Sequence, residues 1–314
     1  MTRFAAAILF AFARLAGRIP WRWHPWLAAR IASLWLRTDA RESRVALRNL
    51  ELAFPDMAPA ERVALRARIL RVTAMQMLET LCFWTRPHDE NLALVRAYEG
   101  ESLFDAAIAS GRGVIVAAPH HGNWELLNQW LAARTPISIL YAPPESRVGE
   151  DFLRRVRAAD DDARRVTQVR AEASGVRQLL RTLREGGVVG ILPDQQPKGG
   201  DGEFAPFFGL PALTMTLLSR LAARSGAIVV FAWCERQPAA DPGSPPSFVV
   251  HVTPAPPEIA STDLRAGVAA LNAAVERIAA RDPAQYQWTY KRYTLRPSRR
   301  GEDNPYRDIE RRRR

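Results

Sequence analysis

"GVIVAAPHHGNWELLNQWLA", residues 113–132, decides the fold. Its first half is an apolar run closed by Pro119, the pattern of a buried strand. Gly122 permits backbone angles closed to other residues, and Asn123 is a favoured helix N-cap. "WELLNQWLA" then continues as a helix. The same alternation recurs downstream. Short β-rich runs lie at 113–119, 137–143, 187–193, 227–233 and 247–253, and a shorter strand precedes Arg170 in "VTQVRAEA" (166–173). Helical patterns lie at 101–110, 124–133, 149–159, 173–185, 212–224 and 262–280. Strands alternating with helices predict an α/β fold, a mainly parallel mixed sheet flanked by helices. Ligands of such sheets sit beyond the carboxyl ends of the strands. The chemistry is therefore expected in "APHHGNWE", "YAPPES" and "LPDQQPKGG".

Outward from this core, the organisation is a helical N-terminal region (1–95), a catalytic domain (96–297) and a basic, disordered tail (298–314). In the first part, Asp39 and Glu42 resemble a capping box, and residues 59–84 show an apolar stripe through Val63, Leu70, Met77 and Leu81. "FAAAILFAFA" (4–13) is uncharged, but ten helical residues span only about 15 Å, half of a ~30 Å hydrocarbon core. "AFA" (11–13) resembles a signal-peptide cleavage site after a barely sufficient apolar stretch. "RIPWRWHPWLAARIASLWLR" (18–37) then sets four of the nine tryptophans among arginines. That mixture suits a bilayer interface, so the N-terminal region is expected to be membrane-associated; a soluble hairpin with core tryptophans is the alternative.

Composition narrows the class. With 47% hydrophobic residues in 314, the chain can bury a sizeable core and is not disordered. A net charge of +11 favours anionic partners. Only Lys198 and Lys291 are lysines; arginine, suited to bidentate phosphate binding, supplies the rest. The arginines are spread along the chain, not gathered in a recognition motif, which argues against nucleic acid as the partner. Cys82 and Cys234 have no metal-ligand spacing. "GDGEFA" (200–205) mimics a nucleotide-binding loop, but follows no predicted strand and opens no predicted helix.

His120 and Glu125 carry the chemistry. Five residues apart, they would lie about 140° apart around one helix and share no face. They can meet if His120 sits in the strand-to-helix turn and Glu125 in the helix's first turn, where the dipole favours its charge. A histidine so held has a fixed tautomer and can take a proton. No G-x-S-x-G nucleophile accompanies it, so it would activate an external hydroxyl. Zinc binding by His120, His121 and Glu125 is an alternative, though H-E-x-x-H is absent; a purely structural turn is another.

"HHGNWE" matches the H-x₄-[DE] signature of the glycerolipid and lysophospholipid acyltransferases. The chain more closely resembles the late acyltransferases of lipid A biosynthesis, the lauroyl and myristoyl transferases. "NLELAFP" (49–55), "LPDQQPKGG" with "FAPFFGLPALTMT" (192–216) and "PAQYQWTYKRYTLRP" (283–297) resemble three further blocks of that family, in the same order. The family has an aromatic residue where His121 stands, so the catalytic role carries over to His120 and not to His121. The resemblance implies a glycerolipid-acyltransferase-like fold and acyl transfer from acyl carrier protein to a hydroxyl of a lipid A precursor. His120 would be the general base and Glu125 its orienting acid. Arg170 and, more weakly, Arg236 would hold phosphates, with Asn123, Asp194, Phe208 and Gly209 completing the substrate-binding set. The partners implied are acyl carrier protein, an anionic lipid acceptor and the cytoplasmic surface of a bacterial inner membrane; no metal or redox cofactor is. Rival acceptors are a glycolipid, an ornithine lipid or a lysophospholipid. Rivals of another class are a nucleic-acid-binding protein and a non-catalytic membrane scaffold.

Overall fold

A computed structural model of the chain describes residues 2–141, 146–158, 165–239, 241, 243–297 and 303–311. Four helices come first: α1 (Thr2–Ala16), α2 (His24–Arg37), α3 (Arg41–Ala53) and α4 (Pro59–Phe83), followed by the short α5 (His88–Leu92). The strand-rich part then runs β1 (Val95–Glu99), α6 (Glu101–Ala109), β2 (Val114–Ala117), α7 (Trp124–Arg134), β3 (Ile137–Tyr141), α8 (Arg147–Ala158), β4 (Val166–Arg170), α9 (Ala173–Arg184) and β5 (Val188–Ile191). After it come β6 (Gly202–Phe207), β7 (Leu210–Met215), α10 (Leu217–Ser225), β8 (Ile228–Arg236), β9 (Phe248–Pro254), α11 (Leu264–Ala279) and α12 (Arg307–Arg311). Seven strands form one sheet in the order β1-β9-β8-β2-β5-β3-β4. Among the described residues of this sheet, only β8 and β9 pair antiparallel. The expected α/β architecture with a mainly parallel sheet is the one observed.

Alternation along β2 shows how the sheet is buried on both faces. Ile115 and Ala117 enter one apolar cluster with α3, α4, α9, α10 and α11, and Val114 and Val116 enter another with α6 and α7. The N-terminal helices α3 and α4 thus share a core with the catalytic sheet. Within α4 the expected stripe splits: Leu70 is fully buried, but Val63 and Met77 are exposed. The helix is gripped through Leu65, Ile69, Ala74 and Met75 as well as Leu70. The cap of α3 is Ala40, and Asp39 takes a left-handed φ of 47° outside the helix.

Two further expectations are revised. Residues 212–215, read as the start of a helix, are the second arm of the β6–β7 hairpin, and the helix begins at Leu217. Phe208 and Gly209 make its two-residue turn, both at positive φ (48° and 73°), the conformation hairpin twist demands. The described part of the tail packs: Tyr306 and Ile309 are buried in the main core, and the Tyr306 hydroxyl bonds Asn49 Oδ1. Arg48 holds it further through the Pro305 carbonyl and Asp308. Charge alone read this segment as free, but one tyrosine and one isoleucine anchor it. The "APPE" of the "YAPPES" candidate (142–145) lies outside the described residues.

The first two helices carry large apolar side chains on their exposed faces. On α1 the small residues Ala6 and Ala13 face inward, while Phe4, Ile8, Phe12 and Leu15 form an exposed stripe at helical spacing. Trp23, Trp26 and Leu34 extend the exposed apolar set. Among the described residues no single helix is long and apolar enough to cross a membrane; residues 4–16 and 21–37 together have the length and apolar composition, but are bent by 90°.

His24, at the start of α2, is 2% exposed against Cys82 Sγ at 3.9 Å and the Trp21 ring at 4.7 Å. Burial, then the nearby Arg86 and Arg236 charges, lowers its pKa to about 4. The unfolded chain takes up this proton near pH 6.5 and the folded chain only near 4. The stabilisation is therefore complete above about pH 6.5 and is lost as pH falls, by about 3 kcal/mol at pH 4. His24→Phe should flatten the fall of Tm over that window; an unchanged slope would show that His24 does not control it.

Candidate active site

The register of two neighbouring strands builds the site. In the parallel β2–β5 pair, Ala117 stands opposite Ile191. His120 and Asp194 each lie three residues further on, so the two meet beyond the carboxyl ends of adjacent strands. Asp194 Oδ1 is 2.7 Å from His120 Nδ1, and Asp194 Oδ2 accepts the His120 backbone N–H at 2.9 Å. The carboxylate can only accept, so Nδ1 carries the proton and the Nε2 lone pair is free to act as a base. Burial alone would raise the carboxyl pKa of Asp194; the His120 charge and both hydrogen bonds outweigh it and hold the group below its ordinary value.

Gln195 Nε2 lies 3.2 Å from His120 Nε2 and donates to Gln287 Oε1 at 3.1 Å. Gln287 in turn gives its backbone N–H to the His120 carbonyl at 3.0 Å. Two glutamines thus close around the basic nitrogen.

The turn itself is tied down atom by atom. Gly122 has φ of 65°, and a Cβ there would stand 2.0 Å from the Cys234 carbonyl oxygen. Its N–H donates to the Gln285 carbonyl (3.1 Å), and the Asn123 N–H to the Cys234 carbonyl (2.7 Å). These two N–H groups are therefore taken. Asn123 caps α7 as expected, accepting from the Leu126 N–H. Its other end donates to Glu79 Oε2 at 3.3 Å. Glu79 is fully buried on α4 and also receives Arg236 Nε at 2.6 Å. Gln76, one turn earlier, donates to the Gly122 carbonyl at 2.9 Å.

The remaining candidates fall as follows. Glu125 lies in the first turn of α7 and is buried at 7% exposure, but the carboxylate on the His120 ring is Asp194. The sequence paired the ring with Glu125; the carboxylate that the neighbouring strand brings onto it, at 2.7 Å, is Asp194. His121 is wholly buried on the far side of the chain from His120, with Nε2 3.7 Å from Glu235 Oε2. Glu235 is pulled down to about 2, against the upward push of burial, by His121, Arg281 and Trp233. Arg170 ends β4, half exposed, with Glu150 at 2.6 Å. The Phe208 ring packs between Phe54 and Trp288, each at 5.2 Å, and its N–H donates to Glu276. Among the described residues no three His, Cys, Asp or Glu side chains converge as a metal site would require.

Gln195, Gln287 and Gln285 lie in blocks the sequence singled out, yet nothing in a single sequence separates them from their neighbours. Gln76 and Glu79 gave no signal, because a polar residue in an amphipathic helix reads as solvent-facing.

Asp194→Asn keeps shape but lets the side chain present an N–H to Nδ1, which favours the wrong tautomer. A kcat loss of about 10³–10⁴-fold with Tm nearly unchanged is expected; near-native turnover would remove Asp194 from the role of holding the ring.

The sequence profile of the family described as bacterial lipid A biosynthesis acyltransferase matches residues 1–294. The chain is 27% identical over 301 residues to the lipid A biosynthesis palmitoleoyltransferase of Escherichia coli (strain K12), covering 95% of this chain and 92% of that one. It is 26% identical over 277 residues to the lauroyltransferase of the same organism (86% and 85% covered). It is 23% identical over 283 residues to the myristoyltransferase (89% and 83%). Since the profile spans nearly the whole chain, the protein belongs to the bacterial lipid A biosynthesis acyltransferase family and is an acyltransferase.

Proposed function

We propose that the protein moves a fatty acyl chain from acyl carrier protein to a hydroxyl of a lipid A precursor at the cytoplasmic face of a bacterial inner membrane. The observation that carries this reading is the His120–Asp194 pair beyond the carboxyl ends of β2 and β5. The acceptor hydroxyl displaces the Gln195 amide from His120 Nε2. His120 takes the hydroxyl proton as the oxygen attacks the thioester carbon. Asp194 holds the ring and stabilises the imidazolium. The Gln195 amide, 3.2 Å from Nε2 before it is released, is the proposed donor to the oxyanion of the tetrahedral intermediate. Collapse breaks the C–S bond, and the proton on His120 goes to the departing sulfur.

Location at the membrane is supported by the apolar surface. Of the thirteen described large hydrophobic side chains that are exposed, ten lie in residues 1–83. A patch so concentrated on one layer marks an interaction surface, and the tryptophans among arginines suit a bilayer interface. The basic chain, at net charge +11, suits an acidic carrier protein and an anionic acceptor.

Mass spectrometry of lipid A from cells lacking the protein tests the reading. Restoring the wild type should return an acyl chain to lipid A, and restoring His120→Ala should not. An acyl chain returned equally by both would overturn the reading.

Arg170 is the proposed phosphate contact. It sits at the same end of the sheet as His120, three strand spacings or roughly 14 Å away. Arg170→Ala should raise KM for a phosphorylated acceptor by about 10- to 150-fold and leave a dephosphorylated one nearly unaffected. Equal losses on both would move Arg170 away from the acceptor's phosphate.

A further inference from the structure

We propose that Gln76 and Glu79, one turn apart on the face of α4 turned towards the catalytic loop, are positioning residues for acyl transfer, setting the turn from which His120 is presented. The inference rests on His120 being the base. Three consecutive residues form that turn after His120, and α4 holds two of them by polar atoms. Gln76 Nε2 donates to the Gly122 carbonyl (2.9 Å), and Glu79 Oε2 accepts from the Asn123 amide (3.3 Å). The Asn123 amide is thereby fixed at both ends, since its oxygen caps α7. Glu79 Oε1 meanwhile takes Arg236 Nε at 2.6 Å, and Arg236 exchanges two backbone bonds with the Gln285 side chain (2.8 and 2.9 Å). Gln285 returns its carbonyl to the Gly122 N–H. The result is a closed ring of polar contacts running from α4 through β8 to the 283–290 segment and back to the turn.

A wholly buried carboxylate is costly, and packing alone would be served as well by a leucine at 79. Glu79 meets Asn123 and Arg236 at once, which an apolar side chain cannot do. The same helix packs against α1 and α2, whose outer faces are apolar, so the layer that seats the protein on a bilayer is the one that fixes the turn.

Three variants and a control test this, assayed in full-length protein with an acyl thioester donor and a phosphorylated lipid A precursor. Gln76 is half-buried, so Gln76→Ala should fold normally; it should lower kcat by about 10- to 100-fold with KM for both substrates within about threefold. Glu79→Gln should lower both Tm and kcat, because it leaves the Arg236 charge uncompensated. The double variant Glu79→Leu with Arg236→Met replaces the ion pair by apolar side chains and should recover Tm. Its kcat should stay low, because the Asn123 amide nitrogen then has no acceptor on α4. Full kcat in Gln76→Ala, or recovery of kcat together with Tm in the double variant, would overturn the proposal. If the double variant does not fold, Gln76→Ala decides alone. His120→Ala is the control: activity retained there sinks the base assignment, whereas an inactive His120→Ala beside fully active α4 variants sinks this inference only.

Discussion

A single carboxylate accepting two hydrogen bonds from one residue is the contact on which the site depends. Asp194 binds both the ring and the backbone N–H of His120, so it fixes the side chain and the main chain of the base together. Neither bond exists without the parallel pairing of β2 with β5, which sets the two loops side by side at one depth. Asp194 is 3% exposed, and its charge there is tolerable only because both oxygens are engaged. The polarity of the pair follows: a buried acceptor forces the proton onto Nδ1 and leaves Nε2 basic.

The architecture was legible because its signals are local. Apolar runs ending at Pro119, Pro143 and Pro193, with helical patterns between them, admit little but a βα alternation, and Gly122 with Asn123 announces a strand-to-helix turn. What was illegible is non-local. Asp194 is 74 residues from His120, and the ring's partner was sought in Glu125, the nearer acid in sequence. Register would have named Asp194, but register needs strand order, and one sequence does not contain it. The β6–β7 hairpin was missed for another reason. "LPALTM" (210–215) holds residues compatible with a helix, and only its pairing with 202–207 makes it a strand.

The closing segment shows how little of a polar network can be read in advance. Gln285, Gln287 and Tyr290 look interchangeable with any polar residues of a loop. In the fold each bridges a different pair: Gln285 joins β8 to the turn, Gln287 steadies Gln195, and the Tyr290 hydroxyl accepts the Gln196 N–H. Asn49 on α3 then binds the Trp288 and Tyr290 carbonyls and receives Tyr306 from the tail. Segments from the two ends of the chain thus meet on one asparagine. A loop carrying so many backbone acceptors would leave several unsatisfied if it were buried by apolar packing alone.

The N-terminal layer inverts the usual order of polarity, and this inversion accounts for the division of labour in the molecule. Helix α4 turns Leu65 and Ile69 into the shared core, Ala74 against α2 and Glu79 towards the turn after His120, while α1 and α2 turn Phe4, Phe12 and Trp26 outward, with Trp23 just ahead of α2. An ordinary soluble fold would bury such large side chains and expose the alanines. Here small inward residues let α1 lie close to α4 and α8 and keep the bulky groups for whatever covers them. The sheet, buried on both faces, needs nothing from that surface for its own stability. To the apolar core it shares with α3 and α4 is added a polar, directional link, through a few bonds from α4 to the 122–123 turn. Apolar contacts are non-directional and can hold a layer in place without fixing an atom. Hydrogen bonds to one carbonyl and one carboxamide can fix an atom, and Gln76 and Glu79 make them where α4 passes the turn.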